Sequence, residues 1–234
     1  MYAIVTGASS GIGKAIALML AKEGYSIATL SRDTGRLEKL RSELHQVGTH
    51  RDHLLLKGNL LNIEDLNIFY QTLHVQKGTP DIIINNAGVY TEGLPSTLDE
   101  NLIQEQFAIN FMAAFRITQP WIAQMKARKS GTIVSIGSVV SKQPRTTAAA
   151  YSLSKQMLDN WMHLLADELR ESDIRVCRIH PGSVNTNSWN DEPDEIRAAI
   201  LDPNEVAGAV KLAISLPADT WLEELVIRPL KKDI

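Results

Sequence analysis

Tyr2-Ala3-Ile4-Val5-Thr6-Gly7-Ala8-Ser9-Ser10-Gly11-Ile12-Gly13 is the stretch whose reading decides the fold. A short run with β-branched character breaks at Thr6-Gly7. The pattern then turns helical with Lys14, Ala15, Ala17, Leu18, Leu20 and Ala21. Buried strand, glycine-rich turn and helix follow one another. Free backbone N–H groups at a helix N-terminus, at the positive end of its dipole, suit a pyrophosphate. Gly7 can take a turn with positive φ, and Gly11 and Gly13 lack the Cβ that would hold backbone from phosphate and helix from strand. The spacing is G-x-x-x-G-x-G rather than G-x-G-x-x-G, and the same loop would also serve as the βα turn of any doubly wound fold.

Outward from this loop the alternation continues. Strands are expected at 26–30, 53–57, 80–84, 131–136, 174–179 and 222–227. Helices are expected after Asp33, over 63–76, as one long helix over 102–128, over 147–171 and over 203–216, with a polar, acidic loop or short helix at 187–200. Gly24 is placed to end the first helix and Asp33 to cap the second. Leu37, Leu40, Leu44 and Val47 recur at helical spacing. This order predicts an α/β, doubly wound, mainly parallel sheet of seven strands with helices on both faces, as a single domain over 1–234. Ligands of such sheets bind beyond the carboxyl ends of the strands. Here those ends are Gly7 to Gly13, Ser31-Arg32, Asn59, Asn86 to Gly88, Ser138 and Pro181-Gly182.

A net charge of −3 gives no reason to expect nucleic acid or an anionic membrane as a partner. One cysteine, Cys177, excludes an internal disulfide and a Cys-based metal site, and its apolar run makes it core filler. No metal is expected, because none of the six histidines has metal-ligand spacing. Glycines and serines by residue 7 argue against a signal peptide, and no apolar stretch approaches the ~18 residues of a spanning helix. A reduced, cytoplasmic setting is the expectation.

Tyr151 and Lys155 stand four apart on a predicted helix, hence on one face. A free tyrosine, with a pKa near ~10, is a poor acid or base at neutral pH, and a nearby ammonium is expected to pull it down. Ser138, ending a strand, can present a hydroxyl to the same crevice. The three make a proton-transfer set for a carbonyl/alcohol couple, with a cofactor carrying the hydride. A Y-x-x-x-K pair alone reads as readily as a half-buried Tyr beside a solvated Lys.

Taken together, Thr6-Gly7-x-x-x-Gly11-x-Gly13, Asn86-Ala87-Gly88, Asn110, Ser138, Tyr151, Lys155, and Pro181-Gly182 with Thr186 occur in this order. The chain thereby resembles the short-chain dehydrogenase/reductase family in its compact single-domain branch, with a Rossmann-type fold. The resemblance implies that Ser138 polarises the carbonyl oxygen, Tyr151 exchanges the proton, and Lys155 holds the nicotinamide ribose and lowers the Tyr151 pKa. It implies that Asn110 anchors a water in the relay. Thr6, Gly7, Ser9, Ser10, Gly11, Ile12 and Gly13 would cradle the pyrophosphate side. Asn86, Ala87 and Gly88 would pack beside the adenosine ribose, and Pro181, Gly182, Val184 and Thr186 would hold the nicotinamide amide and phosphates. Asn59 stands where the family usually has an aspartate against adenine and can accept the same hydrogen bond, with Leu60 beside it.

Dinucleotide choice turns on the end of strand two. NAD enzymes place an acidic residue there, whereas Ser31 leaves room and Arg32 offers a clamp for a 2′-phosphate. NADP(H) is therefore expected, with NAD(H) as the alternative if Asp33, 20 residues after Gly13, reads the ribose. Val89, Tyr90, Val139, Val140, Gln143, Ser183 and Trp189 are candidates to line a substrate pocket, and Ala148-Ala149-Ala150 leaves room near the reacting carbon. The acidic group Asp191, Glu192, Asp194 and Glu195 reads as a solvated lid face. Phe107, Phe111, Phe115, Trp121, Met157, Trp161 and Leu165 are core residues or, as in relatives, part of a seam in a homodimer or homotetramer. The expected activity is an NADPH-dependent carbonyl reductase or the reverse alcohol dehydrogenase; the alternative is a non-catalytic dinucleotide-sensing regulator on the same fold.

Overall fold

Seven strands form one parallel sheet in the order β3-β2-β1-β4-β5-β6-β7. They are β1 (Tyr2–Val5), β2 (Ser26–Ser31), β3 (Leu54–Lys57), β4 (Ile82–Asn85), β5 (Gly131–Ile136), β6 (Ile174–Pro181) and β7 (Glu224–Ile227). The computed structural model describes residues 1–49, 52–217 and 219–230; His50 lies outside them. Strand order reverses between β1 and β4, and that switch point opens a crevice above their carboxyl ends.

Side-chain alternation along the strands builds two cores. Ala3 and Val5 of β1 face one layer with α1 (Gly11–Lys22), α2 (Thr34–Val47) and α9 (Pro203–Ser215). Tyr2 and Ile4 face the other, with α3 (Ile63–Gln76), α6 (Ile122–Arg128) and α7 (Ala149–Leu169). Both faces are buried, which is why the strands read as continuous apolar runs. Cys177 is 1% exposed in the first core, and burial pushes its thiol up to about 12. Gly24 has φ +86 just past α1, and the Asp33 carboxylate accepts from Arg36 N at 2.9 Å, so both predicted caps form.

Several predicted boundaries shift for local reasons. The long helix over 102–128 is not one α-helix. It runs as α4 (Glu100–Phe107), a π segment at Ala108–Met112, α5 (Ala113–Thr118), a 3₁₀ turn at Gln119–Trp121 and α6. Pro120, which has no N–H to give, sits in the 3₁₀ turn. The helix expected from 147 begins at Ala149, because Gly93 pairs with this chain on both sides: its N–H donates to Thr147 O (2.8 Å) and its carbonyl accepts from Ala149 N (3.0 Å). Strand three begins at Leu54 because His53 bonds to Ile27 N through its ring Nδ1 (3.0 Å) rather than through backbone. The last strand begins at Glu224, and Leu222 packs into the first core instead. Between β6 and α9 only a 3₁₀ turn at Asn187–Trp189 and the short α8 (Asp194–Arg197) form.

The aromatic set divides. Trp121 is buried, while Phe111, Phe115 and Trp161 stack on one another at 5.6–6.3 Å and stay partly exposed. Leu153, Met157 and Leu164 of α7 face outward. Among the described residues no helix is long and apolar enough to cross a membrane.

Candidate active site

The crevice is built from strand ends. Beyond β1, Gly7 (φ +69) and Gly11 (φ +52) take conformations that L side chains rarely adopt. A Cβ at Gly13 would lie 2.3 Å from Gly7 O and 2.4 Å from Asn86 Nδ2, so this position seats α1 against the loop and the β4 end. Ser10 caps α1 in extended conformation without using its side chain, which leaves the first-turn amides for an outside acceptor.

Thr6 lies under the cleft rather than in it. Its buried hydroxyl accepts from Asn86 N and Ala87 N, both at 2.9 Å, and tethers the two loops that flank the switch point. Asn86 Nδ2 donates to Thr6 O at 3.0 Å. A cleft of about 680 Å³ follows, bordered by Gly7, Ser10 to Ile12, Asn86 to Gly88, Ser138, Tyr151, Lys155, Pro181, Gly182, Val184 and Thr186. Val89, Tyr90, Val139, Val140, Ser183 and Trp189 line its other end, together with Glu92, Arg145 and Glu192. Gln143 does not join them; it is exposed and accepts from Arg228.

Ser138 and Tyr151 meet across this cleft. Tyr151 stands in the first turn of α7 and lines the cleft together with Ser138, whose side chain is near enough to pull the phenol pKa down. The Tyr90 ring stands edge-on to the Tyr151 ring at 5.1 Å. Lys155 is 4% exposed; its Nζ donates to Ile136 O at 3.0 Å and lies 5.9 Å from the Tyr151 ring centre. Burial pulls its ammonium down to about 8. The expected depression of the Tyr151 pKa by Lys155 does not appear. Burial, the largest effect, raises the phenol above its ordinary value, while the nearby Ser138 hydroxyl and Arg145 oppose it.

Asn110 is fully buried in the π segment, and its amide is engaged by protein. Oδ1 accepts from Val89 N (2.8 Å), and Nδ2 lies within reach of Val89 O (3.1 Å), Gln106 Oε1 (2.9 Å) and Ser154 Oγ (2.9 Å). It thus clamps the chain after Gly88 to α7, a role different from presenting a free amide to water. A π turn allows this by carrying one extra residue per turn past the neighbouring helix.

Ser31 and Arg32 stand at the end of β2, and Asn59 and Leu60 follow β3; none of the four lines the cleft that holds Ser138 and Tyr151. Ser31 Oγ lies 3.3 Å from Ser9 Oγ, which joins the β2 end to the glycine loop. Arg32 is exposed, with no hydrogen bond or ion pair among the described residues. Asp33 is engaged twice by Arg36, through its backbone N and its Nε (3.2 Å). Asn59 Oδ1 already accepts from Leu61 N at 3.0 Å, so the oxygen expected to face adenine closes a local turn. Lys14 is tied to Glu43 at 2.8 Å and does not reach past the loop. Beside the glycine loop a second, polar cleft of about 530 Å³ carries Ser9, Ser10, Arg36 and Lys39.

Spacing alone missed a polar group behind Ser138, in which buried Ser141, Asp159, Arg178 and His180 join the exposed Lys142 and Glu224. His180 carries a sequence signal, since it directly precedes Pro181-Gly182 at the end of β6. Arg178 carried a signal too, as a cation inside an apolar strand, a place where charges are retained only when paired.

Comparison with known proteins gives one consistent result. The family described as short chain dehydrogenase matches residues 1–197. Sepiapterin reductase of Chlorobaculum tepidum is 29% identical over 99% of this chain and 97% of its own. Farnesol dehydrogenase of Aedes aegypti is 32% identical over 97% and 95%. Among solved structures, an alcohol dehydrogenase from the archaeon Thermococcus sibiricus complexed with 5-hydroxy-NADP superposes with a TM-score of 0.86 at 27% identity, covering 99% of this chain and 97% of the other. L-sorbose reductase of Gluconobacter frateurii, complexed with NADPH and L-sorbose, gives 0.86 at 25% identity over the same shares.

Proposed function

The chain belongs to the short-chain dehydrogenase/reductase family of oxidoreductases, and from that premise we propose that it interconverts a small carbonyl and its alcohol with NADP(H). The observation that carries the reading is one cleft that brings together Ser138, the Tyr151 phenol and buried Lys155. NADP(H), when bound, supplies or takes up the hydride. The glycine cradle fits such a group: a Cβ at Gly11 would stand 3.1 Å from Thr186, narrowing the entry to the first-turn amides. Ser138 holds the substrate oxygen, and the Tyr151 phenol gives it a proton in reduction. In oxidation the phenolate takes the proton back. A phenol pKa raised by burial keeps Tyr151 protonated at neutral pH, which supports reduction as the easier direction there.

The 2′-phosphate reading rests on three observations. Ser31 puts no carboxylate at the β2 end, Asp33 is occupied by Arg36, and Arg32 is exposed. NADP-bound relatives support it. Isothermal titration with NADPH and NADH tests it. A charge-assisted bond to Arg32 contributes about 1.5–3 kcal/mol, so NADPH is expected to bind roughly 10- to 100-fold tighter. Arg32→Ala is expected to erase that margin and leave NADH affinity unchanged. NADH binding as tightly as NADPH would defeat the assignment.

Lys155 gives a pH prediction. Its free-protein pKa of about 8 rises when the ammonium gains ribose hydroxyls to donate to. Binding then takes up protons above that pH. NADPH affinity is expected to hold steady below pH 8 and fall by up to about tenfold per unit above it. Lys155→Met should flatten the profile; an unchanged slope in that variant would remove Lys155 from the cofactor site.

A further inference from the structure

Behind the cleft, charged side chains gather around one imidazole. Asp159 is buried on α7, one turn beyond Lys155 on the same face. Its Oδ2 takes Lys142 Nζ at 2.8 Å and its Oδ1 takes Arg178 Nη1 at 3.2 Å. Glu224 of β7 takes Lys142 at 2.7 Å and Arg178 Nη2 at 3.1 Å. His180, with no exposed surface, stands between them, its Nε2 3.4 Å from Asp159 Oδ1 and 3.4 Å from Glu224 Oε1. On the other side of the ring, Nδ1 lies 3.0 Å from Ser141 Oγ.

The direction of that last hydrogen bond follows from counting protons. The Ser141 hydroxyl has one, and it lies 2.6 Å from Ser138 O, a carbonyl that can only accept. The proton therefore goes to Ser138, and Ser141 Oγ accepts from His180 Nδ1–H. Nε2, on the far side of the ring, makes no hydrogen bond. Ser141 N also donates to Ser138 O at 3.0 Å. A Cβ on Gly137 would fall 2.7 Å from His180 Nδ1, so the ring also supports the residue before Ser138.

We propose that His180 is a positioning residue: through Ser141 it fixes the Ser138 carbonyl, in a turn that the neighbouring Lys142 ties through Asp159 to the helix carrying Tyr151 and Lys155. Two catalytic elements that share no backbone hydrogen bonds are thereby held in register. Stability alone is a weak reason for so many buried polar groups, since apolar residues of similar volume do as well or better. Their convergence on the Ser138 turn gives them a geometric purpose. The inference rests on the reading of Ser138 and Tyr151 as the proton-transfer pair.

The test compares Ser141→Ala, His180→Phe, the double variant and His180→Asn, with 4-nitrobenzaldehyde and NADPH as the probe. Asn can present an N–H close to where Nδ1 stands. Ser141→Ala and His180→Phe are each expected to lower kcat about 10- to 100-fold, the scale for a displacement near 1 Å, with KM and NADPH affinity within about twofold. The double variant should be no worse than His180→Phe, and His180→Asn should recover most of the rate. Wild-type kcat in either single variant, or effects that multiply, would overturn the proposal. A second readout needs neither turnover nor a substituted histidine: the imidazole ¹H–¹⁵N spectrum of the whole protein should show His180 protonated at Nδ1, with that signal displaced in Ser141→Ala. A bare Nδ1 overturns it as well. Turnover surviving in Ser138→Ala would sink the proton-transfer reading instead, so the two failures are distinguishable.

Discussion

Tyr151→Phe is expected to lower turnover about 10²- to 10⁴-fold while NADPH binding stays within about twofold. The substitution removes one oxygen and leaves the ring. That ring keeps its edge contact with Tyr90 at 5.1 Å, and Lys155 keeps its bond to Ile136 O. What disappears is the phenol that shares the cleft with Ser138, and with it the proton proposed for the substrate oxygen. Ser138 cannot replace it, because a hydroxyl that gives up its proton at neutral pH leaves an unstable alkoxide. Lys155 cannot either, since its ammonium stands 5.9 Å from the Tyr151 ring centre and is anchored to Ile136 O. The effect belongs in kcat rather than in cofactor affinity. Rates measured under saturating NADPH and cofactor titrations separate the two. Turnover within about fivefold of wild type would remove Tyr151 from the mechanism, and loss of NADPH binding would make its role structural.

How far the sequence carried this site depended on the length scale of each interaction. The glycine loop, the strand ends and the α7 pair Tyr151 and Lys155 are legible because spacing along one element fixes which residues share a face. Seven strands and their parallel order follow for the same reason. Asn110 was legible as a residue but not in its contacts, since a π turn at Ala108–Met112 leaves no mark on hydrophobic period and its partners, Val89 and Ser154, lie 21 and 44 residues away. The raised Tyr151 pKa was missed because adjacency of a lysine in sequence says nothing about depth. Burial has the largest effect on the phenol, and Lys155 stands 5.9 Å from the ring centre. The His180 group was out of reach because it joins α7, β6, β7 and the Ser138 turn, and only the sheet order β5-β6-β7 brings them together. Asn59 shows a smaller version of the same effect: a local turn to Leu61 competes for the oxygen that a ligand was expected to use.

Gly13→Ala should reduce NADPH affinity at least about 100-fold and lower thermal stability, although helix propensity argues the other way. Alanine in place of glycine inside a helix is favoured by about 1 kcal/mol, and α1 has 12 residues over which to use it. Against that stands the position of the new methyl group, 2.3 Å from Gly7 O and 2.4 Å from Asn86 Nδ2. Neither neighbour can retreat. Gly7 O belongs to a turn already at φ +69, and Asn86 is pinned by its bonds to Thr6. The helix must move instead, by most of an ångström, and overpacking of this kind costs typically about 1–3 kcal/mol. At about 2–4 °C per kcal/mol for a chain this size, the net cost after propensity is a fall of several degrees in Tm. The larger loss is in binding, because the first-turn amides that face the phosphates move with the helix. Gly24→Ala is the control. Unlike Gly13 it has a positive φ, +86, and no atom lies within 4 Å of its added methyl, so it should cost backbone strain alone and leave NADPH affinity unchanged. Equal affinities in Gly13→Ala and wild type would mean that the loop does not seat a pyrophosphate, and the cofactor reading of the whole crevice would fall with it.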